Sequence, residues 1–231
     1  MSYLVSPEFF RVLLLGFLTS LHMTWRRLLN QIVPAPYLDE VFHVPQAQAY
    51  WFGRWSQWDP KITTPPGLYV FSYTVNAFRD FFAVDFRPTT AEWRFTNVSL
   101  LYLLLVALYI LTTVGRKTVN YESVLQREFS IISFPLIFFF SGLYYTDVFS
   151  VFTVVLTQIF WSAGTSSEGR SKVLLQLLHF VAGLLSLATR QTNIFWVAVY
   201  LGGLQVIESV KREVGAEKVH DPPVSESYFE G

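Results

Sequence analysis

Residues 95–114 read FTNVSLLYLLLVALYILTTV, twenty consecutive positions without a single charge. A hydrocarbon core about 30 Å thick is spanned by roughly 20 apolar residues of helix, so this stretch is a membrane crossing. The rest of the chain is built to match. Across 231 residues, 52% are hydrophobic, 18% aromatic and only 15% charged, against about 25% charged in an ordinary soluble domain. Lipid is therefore the solvent for most of the chain, and an all-α, multi-pass helix bundle is the expected fold class.

Outward from that run, six further segments have the composition of crossings: 9–25, 66–82, 129–145, 148–163, 173–189 and 192–207. The last two are separated only by Arg190 and Gln191. This gives about seven spans. The first lacks a basic leader and a clear small-residue cleavage site, and reads as an uncleaved span rather than a removed signal peptide. The expected division is a membrane module over 1–207 and a polar tail, or the start of a further loop, over 208–231. Asp221-Pro222-Pro223 lies in that tail.

Charge and cysteine usage close off several functions. The 17 Lys and Arg balance 17 Asp and Glu, which removes the case for a nucleic-acid partner. With no cysteine there is no disulfide framework, thiol nucleophile or thiolate metal site. No Gly-rich phosphate loop, G-x-S-x-G or H-E-x-x-H motif occurs, so nucleotide-dependent and common hydrolase chemistries have no foothold. Asn97-Val98-Ser99 is a formal glycosylation sequon that abuts a span.

The first large loop, 26–65, is where chemistry can sit. Tyr50, Trp51, Phe52, Trp55 and Trp58 crowd into nine residues, a density that suits a segment lying along the membrane interface. Pro45 suits the first turn of a helix there and Gly53 its stop. Just before this segment stand Asp39 and Glu40, with His43 one helical turn after Asp39. A carboxylate at the mouth of a lipid-facing cavity can accept a proton from a hydroxyl nucleophile, help worth about 10²–10⁴ in rate. The competing reading makes Asp39 a helix cap and leaves Glu40 in water. His43 either polarises a phosphate or is simply solvated. The three together are weak metal ligands, because their spacing demands no metal. A divalent metal is compatible with the loop but not required by it, and no other cofactor is implied.

Two polar islands interrupt the apolar sequence. Tyr144-Tyr145-Thr146-Asp147 joins two spans, and Arg190-Gln191-Thr192-Asn193 joins two others. An Arg at a cavity mouth suits bidentate phosphate binding, whereas an Arg in a surface turn merely snorkels. Asp147 reads as a turn residue; lining a transport pore together with Arg190 is a weaker alternative.

The loop strings LDEVFHVPQAQ (38–48) and SQWDPKITTPPGLY (56–69) closely resemble a eukaryotic glycosyltransferase family, as do FSGLYYTD (140–147) and RQTNIFW (190–196), in the same order. The family is the endoplasmic-reticulum alpha-1,2-glucosyltransferase that uses dolichyl-phosphate-glucose to add the terminal, third glucose to the lipid-linked oligosaccharide. The resemblance implies a GT-C type bundle, with membrane-parallel helices in a first loop that faces the lumen. It implies Asp39 and Glu40 as the catalytic pair. Substrate contacts are expected from His43, Gln46, Trp58, Asp59, Tyr145, Asp147, Arg190, Gln191 and Asn193. Dolichyl-phosphate-glucose, the lipid-linked oligosaccharide and membrane lipid are the expected partners. The chain is expected to correspond to the family's N-terminal half. The alternative is a truncated, non-catalytic membrane subunit that binds lipid.

One observation opposes the lumenal loop. Seven crossings place 26–65, 115–128, 164–172 and the tail on one side. That group holds Arg26, Arg27, Arg54, Lys61, Arg116, Lys117, Arg127, Arg170, Lys172, Lys211, Arg212 and Lys218, and the positive-inside bias makes it cytosolic.

Overall fold

The computed structural model describes residues 7–82, 87–114 and 121–214; Arg116, Lys117, Lys218 and 221–223, weighed above, lie outside the described residues. Every regular element among them is helical: α1 (Pro7–Ile32), α2 (Glu40–Trp51), α3 (Gly67–Phe82), α4 (Thr90–Thr113), α5 (Tyr121–Ile132), α6 (Pro135–Ser141), α7 (Thr146–Thr165), α8 (Gly169–Thr189) and α9 (Leu201–Val214). A 3₁₀ turn, Gln191–Asn193, and a π-helical turn, Phe195–Tyr200, connect α8 to α9. The chain divides into two units between Asn193 and Ile194.

In the first unit α4 is the central element. Leu100, Leu101, Leu104, Ala107 and Leu108 are buried along it and pack with Val148, Phe149, Val155 and Ile159 of α7. α7 and α8 pair closely through small and hydroxyl side chains. Gly183 faces Thr157, the hydroxyls of Thr153 and Thr189 lie 3.3 Å apart, and His179 Nδ1 meets the Thr157 carbonyl at 3.0 Å. Small residues at such a seam let backbones approach where lipid supplies no hydrophobic drive. The outer face of α8 exposes Val173, Leu174, Leu177, Phe180, Val181 and Leu184. Such a patch is a liability in water and costs nothing against acyl chains.

Several element ends converge at one end of this unit. Near the start of α4, Arg94 donates to the Val33 carbonyl just past α1 and to Glu40 at the start of α2. Glu40 accepts the Tyr144 N–H from the α6–α7 turn. Arg190, after α8, pairs with Asp147 in the first turn of α7. α3 rests on this same end at both of its own ends. A Cβ placed on Gly67 would lie 2.4 Å from the Ala188 carbonyl oxygen near the end of α8. At the other end Arg79 forms an ion pair with Glu92 in the first turn of α4. α3 therefore lies across the bundle end.

The expected crossing over 66–82 is corrected accordingly. The expected crossing over 129–145 is also interrupted. α5 stops at Ile132 and α6 restarts at Pro135, because proline removes a backbone donor and clashes with the preceding turn. Among the described residues four helices are long and apolar enough to cross a membrane: α4, α7, α8 and Gln191–Lys211. In the second unit α9 continues to Val214, past the expected tail boundary at 208.

α2 begins five residues before Pro45, which sits in its interior rather than in its first turn. Gly53 ends the helix as expected, with φ +75°. The Gly53 N–H reaches the Tyr50 carbonyl and the Arg54 N–H reaches Ala49, the paired closure of a Schellman stop.

Candidate active site

The site is assembled around a buried ion pair that sequence reading missed. Glu40 and Arg94 are both fully buried. Glu40 Oε1 accepts from Arg94 Nε at 2.9 Å and from the Tyr144 N–H at 2.7 Å. Oε2 accepts from Arg94 Nη2 at 2.6 Å and from the Tyr37 N–H at 3.0 Å. Arg94 donates in addition to Asn30 Oδ1, to the Val33 carbonyl and, through Nη2, to the Ala35 carbonyl. All five guanidinium N–H groups thus have acceptors, which is the condition for burying such a charge. The competing reading that left Glu40 in water does not hold, and the expected catalytic partner of Asp39 has both carboxylate oxygens engaged inside the protein, closing the turn from α1 into α2.

Asp39 is the exposed member of the acidic pair. It occupies the N-cap of α2 without a capping side-chain bond, so its carboxylate is not consumed by the helix end. Its backbone N–H donates to the Tyr145 hydroxyl at 2.6 Å. Leu38, immediately before it, has φ +53°, a left-handed conformation that side-chain-bearing residues reach only at a cost.

His43 is buried one turn further along α2, its Nδ1 2.6 Å from the Tyr69 hydroxyl and its ring edge-on to Tyr145. Burial pushes its imidazole below the ordinary value, while the carboxylates of Asp39, then Asp147 and Glu40 pull it back up. His43 is therefore a neutral ring at neutral pH, within the field of both Asp39 and Asp147.

The two polar islands meet. Arg190 Nη1 donates to Asp147 Oδ1 at 2.5 Å, and both side chains are roughly a third exposed. The pair leaves the rest of the guanidinium fork on an accessible surface. Trp58 is 39% exposed and edge-on to Tyr69. Trp55, also exposed, touches the rings of Tyr50 and Tyr73.

Three of the expected substrate contacts are occupied by the protein itself. Gln46 is buried, donates to the Gln57 carbonyl and accepts the Asp59 N–H, tying 57–59 to α2. Asn193 donates to the Ser186 carbonyl and Thr189 Oγ1 and accepts from Ser150. Gln191 donates to the Thr63 carbonyl, fastening the end of α8 to the 61–66 strap. Asp59 accepts the Lys61 N–H, a local turn bond. Lys61 lies over the Phe42 ring. Among the described residues no three His, Asp or Glu side chains group as a metal ion would need. Asp39, Glu40 and His43 miss this because Glu40 is turned into the core.

Arg94, Asn97, Tyr69 and Tyr144 were not foreseen. The available signal was Arg94 itself, one residue before an uncharged run; beginning the span at Phe95 left it in a loop, whereas the helix starts at Thr90. A charge inside an apolar helix demands a partner, and the structure supplies Glu40, 54 residues away.

The chain is 42% identical to a Dol-P-Glc:Glc(2)Man(9)GlcNAc(2)-PP-Dol alpha-1,2-glucosyltransferase of Aspergillus fumigatus, over 89% of this chain and 36% of that protein. It is 45% identical to the protein of that name from Emericella nidulans, over 81% and 32%. With the one from Mus musculus it shares 35% identity, over 73% and 35%. The chain spans about a third of the length of the curated relatives it matches, rather than the expected half. No solved structure matches. The family profile covers residues 33–228, from the turn into α2 to beyond α9, and the chain belongs to the DIE2/ALG10 family.

Proposed function

We propose that this chain carries the base-bearing loop of an inverting glucosyltransferase of the endoplasmic-reticulum membrane. It moves glucose from dolichyl-phosphate-glucose to the diglucosylated lipid-linked oligosaccharide. The observation that carries the reading is Asp39: an exposed carboxylate on a turn held by the Tyr145 hydroxyl, beside His43, whose imidazole also feels the Asp147 carboxylate.

The acceptor hydroxyl oxygen attacks the anomeric carbon in line with the leaving phosphate. The new C–O bond forms as the glucose–phosphate bond breaks, and one inversion converts a beta donor into an alpha product. Asp39 takes the hydroxyl proton. The electron pair leaves on dolichyl phosphate, whose charge is met by the outward side of the Arg190 guanidinium. His43, held neutral by burial, offers a hydrogen bond. Trp58 offers its open face to a sugar.

The base-bearing loop is lumenal in this reading. With α3 lying across the bundle end, 33–89 forms one continuous loop, and α1, α4, α5–α6, α7, α8 and 191–211 make six crossings. The short connections opposite the loop then carry Arg116 and Lys117 before α5, and Arg170 and Lys172 at the start of α8. The loop side carries Arg54, Lys61, Arg79 and Arg87, with Arg79 paired to Glu92 and Arg190 to Asp147. Cation bias therefore does not choose between the two faces, and the lumenal side rests on the family resemblance.

Expression of the chain in cells lacking the terminal glucosyltransferase tests the proposal. Inserted protein should convert the two-glucose lipid-linked glycan to the three-glucose species, and Asp39→Asn should lower the rate about 10²–10⁴-fold. Persistence of the two-glucose species would overturn the activity; turnover by Asp39→Asn would overturn the base.

A further inference from the structure

We infer that Arg94 and Asn97 are positioning residues that hold Asp39 in place from one turn of α4. The inference rests on the reading of Asp39 as the base and adds how that base is aimed.

Arg94 and Asn97 are three residues apart and share a face of α4. They grip the two strands of the site separately. Arg94 holds the carboxylate of Glu40, the residue next to Asp39, and the carbonyls of Val33 and Ala35 leading into it. Asn97 holds the carbonyl of Tyr145 at 2.8 Å. The two strands are then cross-linked in pairs. Tyr144 N–H donates to Glu40, and Asp39 N–H donates to the Tyr145 hydroxyl. Asp39-Glu40 and Tyr144-Tyr145 thereby form one rigid block, fastened to α4 at both corners.

Two features say that this block aims a group and does not bind a ligand. Every N–H of Arg94 is already used inside the protein and the side chain is fully buried, so it has nothing to offer a phosphate. The step into Asp39 is made at Leu38 with φ +53°, a conformation that persists where the surroundings over-determine it. A lysine brings three donors from one point and cannot reproduce the fork that reaches Asn30, Val33, Ala35 and Glu40 together.

The test uses Arg94→Lys and Asn97→Ala in the full chain in lipid nanodiscs, with two readouts. The first is kinetic, well below each variant's thermal midpoint and normalised to folded protein. A displaced base lowers kcat by about 10²-fold with donor KM little changed, since misplacement by an ångström costs that much. A residue with only a structural role lowers the folded fraction and leaves kcat per folded molecule at the wild-type value, which would overturn the inference. The second readout is amide exchange across 37–42, which does not depend on turnover. Neither variant deletes the partner of the Asp39 N–H, yet both should speed exchange there by at least roughly tenfold while the α7–α8 hairpin is unchanged. Unaltered exchange at 37–42 would also overturn it. An active Asp39→Asn would sink the base assignment instead, and so separates the two failures.

Discussion

The two ion pairs at the site carry the same charges in opposite surroundings, and Glu40→Gln against Asp147→Asn exposes the difference. In Glu40, each carboxylate oxygen faces two donor groups: Arg94 Nε and Tyr144 N–H on one side, Arg94 Nη2 and Tyr37 N–H on the other. A glutamine must turn its own NH₂ toward one side, setting donor against donors. Either flip leaves two donors without their acceptor and the Arg94 charge unpaired at zero exposure. Removing one partner of such a pair costs about 3–5 kcal/mol. Asp147 is partly exposed, so in Asp147→Asn the Arg190 guanidinium recovers water, and the cost stays below about 1 kcal/mol. For a chain of this size each kcal/mol moves the thermal midpoint by roughly 2–4 °C. Glu40→Gln should therefore melt about 6–20 °C lower and Asp147→Asn within about 4 °C of wild type. Scanning fluorimetry on the intrinsic tryptophans at one fixed scan rate reads both. Equal shifts would refute the account of Glu40 as the saturated anchor of the turn.

Gly67→Ala sets a Cβ 2.4 Å from a backbone oxygen and should cost about 1–3 kcal/mol in the same assay. Gly53→Ala meets open space and should cost only the left-handed penalty of about 1–2 kcal/mol; a harmless Gly67→Ala would refute the close approach of α3 to α8. Because burial lowers the His43 value in the folded state, the unfolded chain binds a proton first as pH falls below about 6.5. Stability should be level above that pH and decline below it, and His43→Gln should flatten the decline in midpoints measured from pH 8 to pH 5. Asn97 is fully buried with its amide on the Tyr145 carbonyl, so the sequon should carry no glycan. Endoglycosidase treatment should shift wild type and Asn97→Gln identically.

The sequence located a converging polar cluster better than it assigned parts within it. Polar residues in apolar surroundings are visible in one dimension, and 38–48, 144–147 and 190–193 do converge in space. Which member of a polar string is free to act is decided by partners far along the chain. Asp39 and Glu40 are neighbours at a helix start and so point about 100° apart, which guarantees different surroundings without saying whose is which. Arg94, 54 residues away, decides it. Gln46, Gln191 and Asn193 are likewise amides at the right place, and each is used to tie backbone. An amide that fastens a loop and one that binds a sugar have the same one-letter code and the same neighbours.

The segment over 66–82 misled for a different reason. A hydropathy window sums side chains around a helix and discards which way they face. In α3 the buried face holds Leu68 and Tyr69 together with polar Ser72 and Asn76, while Val70, Phe78, Phe81 and Phe82 are exposed. A crossing in a bundle also turns amides inward and phenyl rings to lipid, so the facing alone does not separate it from a helix lying on an interface; the contacts at its two ends and its length do. Its buried side needs partners for polar groups, such as the Tyr144 hydroxyl at 2.6 Å from Ser72, and its outer side rests in the acyl boundary. The sixteen residues, roughly 24 Å of helix, also fall short of a 30 Å core. Each crossing inverts the side of everything after it, so without this one segment 33–89 and the connections holding Arg116, Lys117, Arg170 and Lys172 fall on opposite faces. The charge count on each face therefore depends on the span count, and the ion pair of Arg79 with Glu92 bears on that count.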